Sequence, residues 1–109
     1  MIDAIQVITM TAEKTDAQRI AKSLLEQRLA GCVQISGPIE SSYWWKDRIE
    51  TAQEWVCTVK TLHSMYEQVE QTIRELHPYE EPEILAVQAV AGSRTYLQWL
   101  AEAIEPSSS

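Results

Sequence analysis

The sequence predicts an α+β domain: a ferredoxin-like βαββαβ sandwich with a long hairpin between its second and third strands and one further helix at the C-terminus. Three observations carry that expectation. Apolar residues recur at helical spacing in three segments, and β-rich tracts separate them in the order strand, helix, strand, strand, helix, strand, helix. A length of 109 residues with 45% hydrophobic content suits one compact core. Residues 1–105 therefore read as a single domain, and 106–109, a Pro-Ser-Ser-Ser run, as a flexible tail.

Ile5 to Met10 is the first strand. Ala17, Ile20, Ala21, Leu24, Leu25 and Leu29 follow one face of a helix, with Thr15 and Gln18 as a capping box at its start. Gly31 stands where a left-handed cap ends a helix. The first hairpin arm runs from Cys32 to Tyr43, and Gly37-Pro38 within it predicts a bulge or bend, because proline cannot donate to a ladder. The chain turns within Trp45-Lys46-Asp47-Arg48, and the second arm is Ile49 to Leu62.

Ser64 and Glu67 predict a second capping box, opening a helix whose buried stripe is Met65 or Tyr66, Val69, Ile73 and Leu76. Pro78 ends it. Ile84 to Val90 is an apolar run suited to a buried strand, and Ser93 caps a last helix through Ile104.

Arms of about 12 residues extend to about 40 Å, whereas a domain of this size has a radius of gyration near 13 Å. The tip bearing Tyr43, Trp44 and Trp45 thus overhangs its own core, and the exposed apolar surface calls for a closed homo-oligomer. A turn near Lys46-Asp47 makes paired positions sum to about 93. Cys32 then faces position 61 and Cys57 position 36, about 13 Å apart along the ladder, so no intrachain disulfide is expected.

The net charge is −7, and from His63 onward eight Glu stand against Arg74 and Arg94. Without clustered Lys and Arg, nucleic acid is not an expected partner. No apolar stretch approaches the ~20 residues of a membrane helix, which leaves no membrane role and a cytoplasmic location as the default. Zinc spacing, a phosphate-binding glycine loop and a nucleophile elbow are all missing, so neither an enzyme nor an organic cofactor is expected.

His77 has two readings. It closes a helix, where imidazolium is favoured, and it precedes Pro78, Tyr79, Glu80, Glu81 and Glu83, among which neutral imidazole and carboxylates can hold copper or zinc. Lys60 is either a solvated strand lysine or an anion contact. Tyr96 and Trp99 share a face of the last helix, as core or as the wall of a cleft.

Seven tracts in fixed order, Ala30-Gly31-Cys32-Val33, Ser42-Tyr43-Trp44-Trp45-Lys46, Ile49-Glu50, Val59-Lys60-Thr61, His77-Pro78-Tyr79-Glu80, Pro82-Glu83-Ile84 and Tyr96-Leu97-Gln98-Trp99-Leu100, make the chain resemble the CutA divalent-cation tolerance family from Ile5 to Ile104. The resemblance implies a tight homotrimer with hairpins packed between neighbours, similar in architecture to PII signalling proteins, and a response to divalent metal ions. Copper ligands proposed in that family, a first-strand cysteine and two consecutive histidines, correspond here to Thr9-Met10 and Leu76-His77. Only His77 of that set is present, with Met10 as a soft substitute, so weak binding of copper or another divalent cation is the implied function. The alternative is a PII-like module that takes a small anion or a protein segment in clefts between subunits, lined by Tyr43, Trp44, Lys60, Tyr79, Glu80 and Trp99.

Overall fold

The computed structural model describes residues 2–105, so the expected tail at 106–109 lies outside the described residues. Strand β1 (Ala4–Thr11) leads into helix α1 (Lys14–Glu26). Strands β2 (Cys32–Trp45) and β3 (Arg48–Leu62) form the long hairpin. Helix α2 (Tyr66–Leu76), strand β4 (Leu85–Gln88) and helix α3 (Arg94–Ile104) complete the chain. The sheet is antiparallel throughout, in the order β2-β3-β1-β4, which is the ferredoxin-like arrangement. No described helix is long and apolar enough to cross a membrane.

Alternation along β1 explains the layering. Ile5, Val7, Thr9 and Thr11 are buried, opposite Thr61, Val59, Cys57 and Trp55 of β3. Val7 and Val59 join Ile20, Leu24, Val69 and Ile73 of α1 and α2 in the main core. A satellite cluster of Ala4, Leu100 and Ile104 holds α3 near the start of β1. The Thr9 hydroxyl is buried without a hydrogen-bond partner among the described residues.

From its tip to Ile39 the hairpin has the expected register. Trp45 faces Arg48 and Tyr43 faces Glu50, around a two-residue turn in which Lys46 (φ 50°) and Asp47 (φ 63°) both take the left-handed conformation. A register shift between Ser36 and Ile39 marks the bulge at Gly37-Pro38, where Gly37 has a φ of 145°. Beyond it the extra residue moves the register by one, so Cys32 pairs with Lys60 and not position 61, and Cys57 with Ile35 and not position 36; the two remain well separated along the ladder, and both are free thiols. The molecule measures 53 × 26 × 22 Å with a radius of gyration of 14.8 Å, larger than a compact domain of this length because the hairpin projects.

Four local expectations change. Helix α1 starts earlier than the Thr15–Gln18 box: Glu13 is its extended N-cap and makes no side-chain cap, while its carbonyl accepts the Thr11 hydroxyl at 2.7 Å. The Ser64–Glu67 box is displaced by a 3-10 turn over His63–Met65, so α2 begins at Tyr66 without a side-chain cap. The left-handed residue after α1 is Arg28 (φ 56°), not Gly31. Gly31 is needed instead for space, since a Cβ there would stand 2.6 Å from Leu100 Cδ1. Finally, the strand expected to be buried over Ile84 to Val90 is the shorter edge strand β4, Leu85–Gln88, exposed along its length, with Val90 beyond it 98% exposed. The Ser93 cap is present, accepting the Tyr96 N–H at 3.2 Å.

Candidate functional site

Pro78 forces the chain out of α2, and His77 fixes where it goes. The His77 N–H closes the helix on the Ile73 carbonyl at 2.8 Å while its own backbone turns extended. Its ring then bridges two segments. Nδ1 accepts the Tyr79 N–H at 3.1 Å, which leaves the proton on Nε2 to be donated to the Met10 carbonyl at 2.5 Å. The imidazole is neutral in this arrangement, with both nitrogens engaged. Only its backbone follows the helix-cap expectation, because the ring reaches across to β1.

Anchored in this way, Tyr79 packs its ring against His77, with centroids 4.7 Å apart, and donates its hydroxyl to Glu54 Oε2 of β3 at 2.8 Å. Glu54 is 5% exposed. Burial, and then the Glu54 carboxylate that accepts its proton, hold the Tyr79 hydroxyl well above the usual tyrosine range.

Between the distal half of the hairpin and the segment after His77 opens a cleft of about 740 Å³. Tyr43, Trp44, Trp45 and Tyr79 provide aromatic walls, and Met10 lies on its lining. Glu54, Glu80, Glu81 and Glu83 provide carboxylates, and the lining contains no Lys, Arg or His. The cleft is therefore aromatic and negatively charged.

The structure gathers Tyr43, Trp44, Tyr79 and Glu80 at this one place. Lys60 and Trp99 are not on its lining within a chain. Lys60 lies six residues beyond Glu54 on β3, about 20 Å along the strand, paired with Gln6 and Cys32. Trp99 is half exposed on α3, 5.7 Å from the ring of Tyr96. His77 supports the cleft from behind without lining it.

Glu54 is the residue that sequence reading missed. Its position in the ladder was accessible, since it pairs with Ile39 in the expected register. Its meeting with Tyr79, 25 residues away, had no local signal.

A chelated metal does not fit the described side chains. No group of three His, Cys, Asp or Glu among the described residues is arranged to hold an ion, and His77 would have to give up a hydrogen bond to become a ligand. Met10 reaches His77 through its carbonyl, not its thioether.

With this geometry in place, the resemblance can be measured. A family model described as CutA1 divalent ion tolerance protein matches residues 5–103. The divalent-cation tolerance protein CutA of Thermus thermophilus is 38% identical over 101 residues, covering 93% of this chain and 97% of that protein. The protein of the same description from Archaeoglobus fulgidus is 40% identical over 90 residues, covering 83% and 87%. The crystal structure of CutA1 from Oryza sativa superposes with a TM-score of 0.91 at 31% identity, covering 97% of each chain.

Proposed function

Because the chain belongs to the CutA1 divalent ion tolerance protein family, we propose that it acts in the response to divalent metal ions as a cytoplasmic homotrimer whose acidic cleft attracts cations and binds copper or a similar ion weakly. The family is named for tolerance, not for a reaction, which agrees with a binding role. The observation that carries the cation preference is the cleft lining, four glutamates without one basic side chain. Carboxylates on open loop positions attract a divalent ion through the local field, whereas tight chelation needs several converging ligands. Weak capture follows, with Glu80, Glu81 and Glu83 as its carriers and His77 as the strut that positions them.

The exposed Leu85, Val87 and Val90 support assembly, since a neighbour would cover this apolar edge. Trimerisation also leaves room for the second reading, in which Lys60 and Trp99 from an adjacent copy complete a cleft for an anion.

Calorimetric titration of copper and zinc into the reduced wild-type protein, His77→Ala and a triple Glu80→Gln, Glu81→Gln, Glu83→Gln variant tests the assignment. Weak binding is expected in the first two and loss in the third. Tight binding abolished by His77→Ala would overturn it, by making the ring a ligand.

A further inference from the structure

We propose that His77 is closed to metal ions and acts as a positioning residue, its ring standing in for a missing strand beside β1 and fixing the path of residues 78–83. The one histidine kept from the ligand set proposed in the family thus serves the fold. Every atom concerned belongs to a single chain, so a neighbouring copy that covers this region leaves the arrangement in place. The inference holds whether or not the glutamates that follow attract a cation.

The ladder is the first reason. β4 pairs with β1 only from Ile5 to Ile8, so Met10 lies beyond its reach. A part-buried carbonyl without a strand partner calls for a donor. The His77 Nε2–H supplies it at 2.5 Å, in the place that a strand N–H would fill, and the residue is 8% exposed.

The other ring nitrogen is the second reason. A metal-binding imidazole donates one N–H to a carbonyl or carboxylate and offers its second nitrogen to the ion. His77 shows the first half of that pattern, but its Nδ1 is taken by the Tyr79 N–H at 3.1 Å. An ion at Nδ1 would leave that amide without its acceptor, and an ion at Nε2 would displace the proton that the Met10 carbonyl accepts. Converging ligands do not compensate, since no group of three His, Cys, Asp or Glu among the described residues is arranged to hold an ion.

The turn around the ring is the third reason, because four elements hold it. Arg19 of α1 donates to the Leu76 carbonyl at 3.4 Å, and the Ile73 carbonyl of α2 accepts the His77 N–H at 2.8 Å. Met10 of β1 accepts from the ring, and Glu54 of β3 accepts the Tyr79 hydroxyl at 2.8 Å. The ring sits at the centre of this clamp and sets where Tyr79 starts toward Glu54. Turning it toward an ion would undo the hydrogen bonds on both of its sides.

The test is NMR of the intact protein labelled with nitrogen-15 at histidine, using long-range proton–nitrogen correlation in the two rings. His63, exposed in the 3-10 turn, is the internal control for an accessible imidazole. The Nε2–H tautomer is expected at His77, unchanged through a zinc titration. Hydrogen exchange of the Tyr79 amide is measured alongside. His77→Ala should speed it about tenfold or more, and His77→Asn, whose Oδ1 stands where Nδ1 stood, should restore it to within about threefold of wild type. If His77→Ala fails to fold, His77→Asn and the wild-type spectra keep the test complete. An Nδ1–H tautomer overturns the inference, as does a saturable change of the His77 ring nitrogens to those of a coordinated imidazole. Tyr79 exchange unchanged in His77→Ala, or not restored in His77→Asn, overturns it too. Zinc held elsewhere while the His77 ring stays unmoved upholds it.

Discussion

Glu54 and Tyr79 show how one hydrogen bond joins a strand to a loop 25 residues away. Removing the hydroxyl leaves a buried carboxylate without its donor, so Tyr79→Phe should lose about 1–3 kcal/mol of stability. The same hydroxyl and the Cys57 thiol also set the alkaline limit. Burial pushes Cys57 up to about 11, and burial followed by Glu54 raises Tyr79. Both groups are neutral when protonated, and the folded state holds those protons to higher pH than the unfolded chain does. Their contribution is complete below the unfolded values, about 8.5 for cysteine and about 10 for tyrosine, and declines as pH rises past them. Urea denaturation across this range should show stability falling from about pH 8.5 upward, with a shallower fall above about pH 10 in Tyr79→Phe. A pH-independent profile would contradict the burial of these groups.

At the scale of elements, the junction between α1 and β2 decides where α3 sits. The Gly31 N–H donates to the Lys60 carbonyl at 3.1 Å, the Thr61 hydroxyl to the Leu29 carbonyl at 2.6 Å, and the Arg28 guanidinium to the Ala103 carbonyl at 2.7 Å. This stitching brings Gly31 against Leu100, a side chain with no free space to swing into. Gly31→Ala should therefore destabilise by about 1–3 kcal/mol through overpacking. Adding Leu100→Ala should cost less than its effect in the wild-type background, because the two changes relieve one another. Thermal denaturation of the two single variants and the double variant measures that coupling, and strict additivity would mean that α3 does not press on Gly31.

For the whole molecule, the governing fact is the mismatch between a 53 Å long axis and a core only 22–26 Å across. The hairpin tip and the β4 edge expose Trp44, Ile49, Leu85, Val87 and Val90, apolar side chains of the kind that a partner covers. Light scattering at micromolar concentration should give three times the 12.4 kDa chain mass. A lysine substituted for Val87 should shift that mass toward the monomer, since a charge on a covered apolar face is costly to bury. A monomeric mass for the wild-type protein would remove the trimer from the proposed function.

The sequence by itself determined the order of elements, the sheet topology, the position of the turn, the bulge at Gly37-Pro38 and the separation of the cysteines. Each follows from periodicity, from proline's missing N–H or from counting along a ladder, all of which act between near neighbours. It also singled out Tyr43, Trp44, Tyr79 and Glu80, which the fold brings together on one cleft. The capping boxes failed because Glu13 and a 3-10 turn offered the helices other starting points, and helix ends respond to the packing around them. The burial of Glu54, the engagement of both His77 nitrogens, and the distance of Lys60 and Trp99 from the cleft within one chain were decided only by the tertiary structure. Those facts depend on which distant surfaces meet, and local residue pattern carries no term for that.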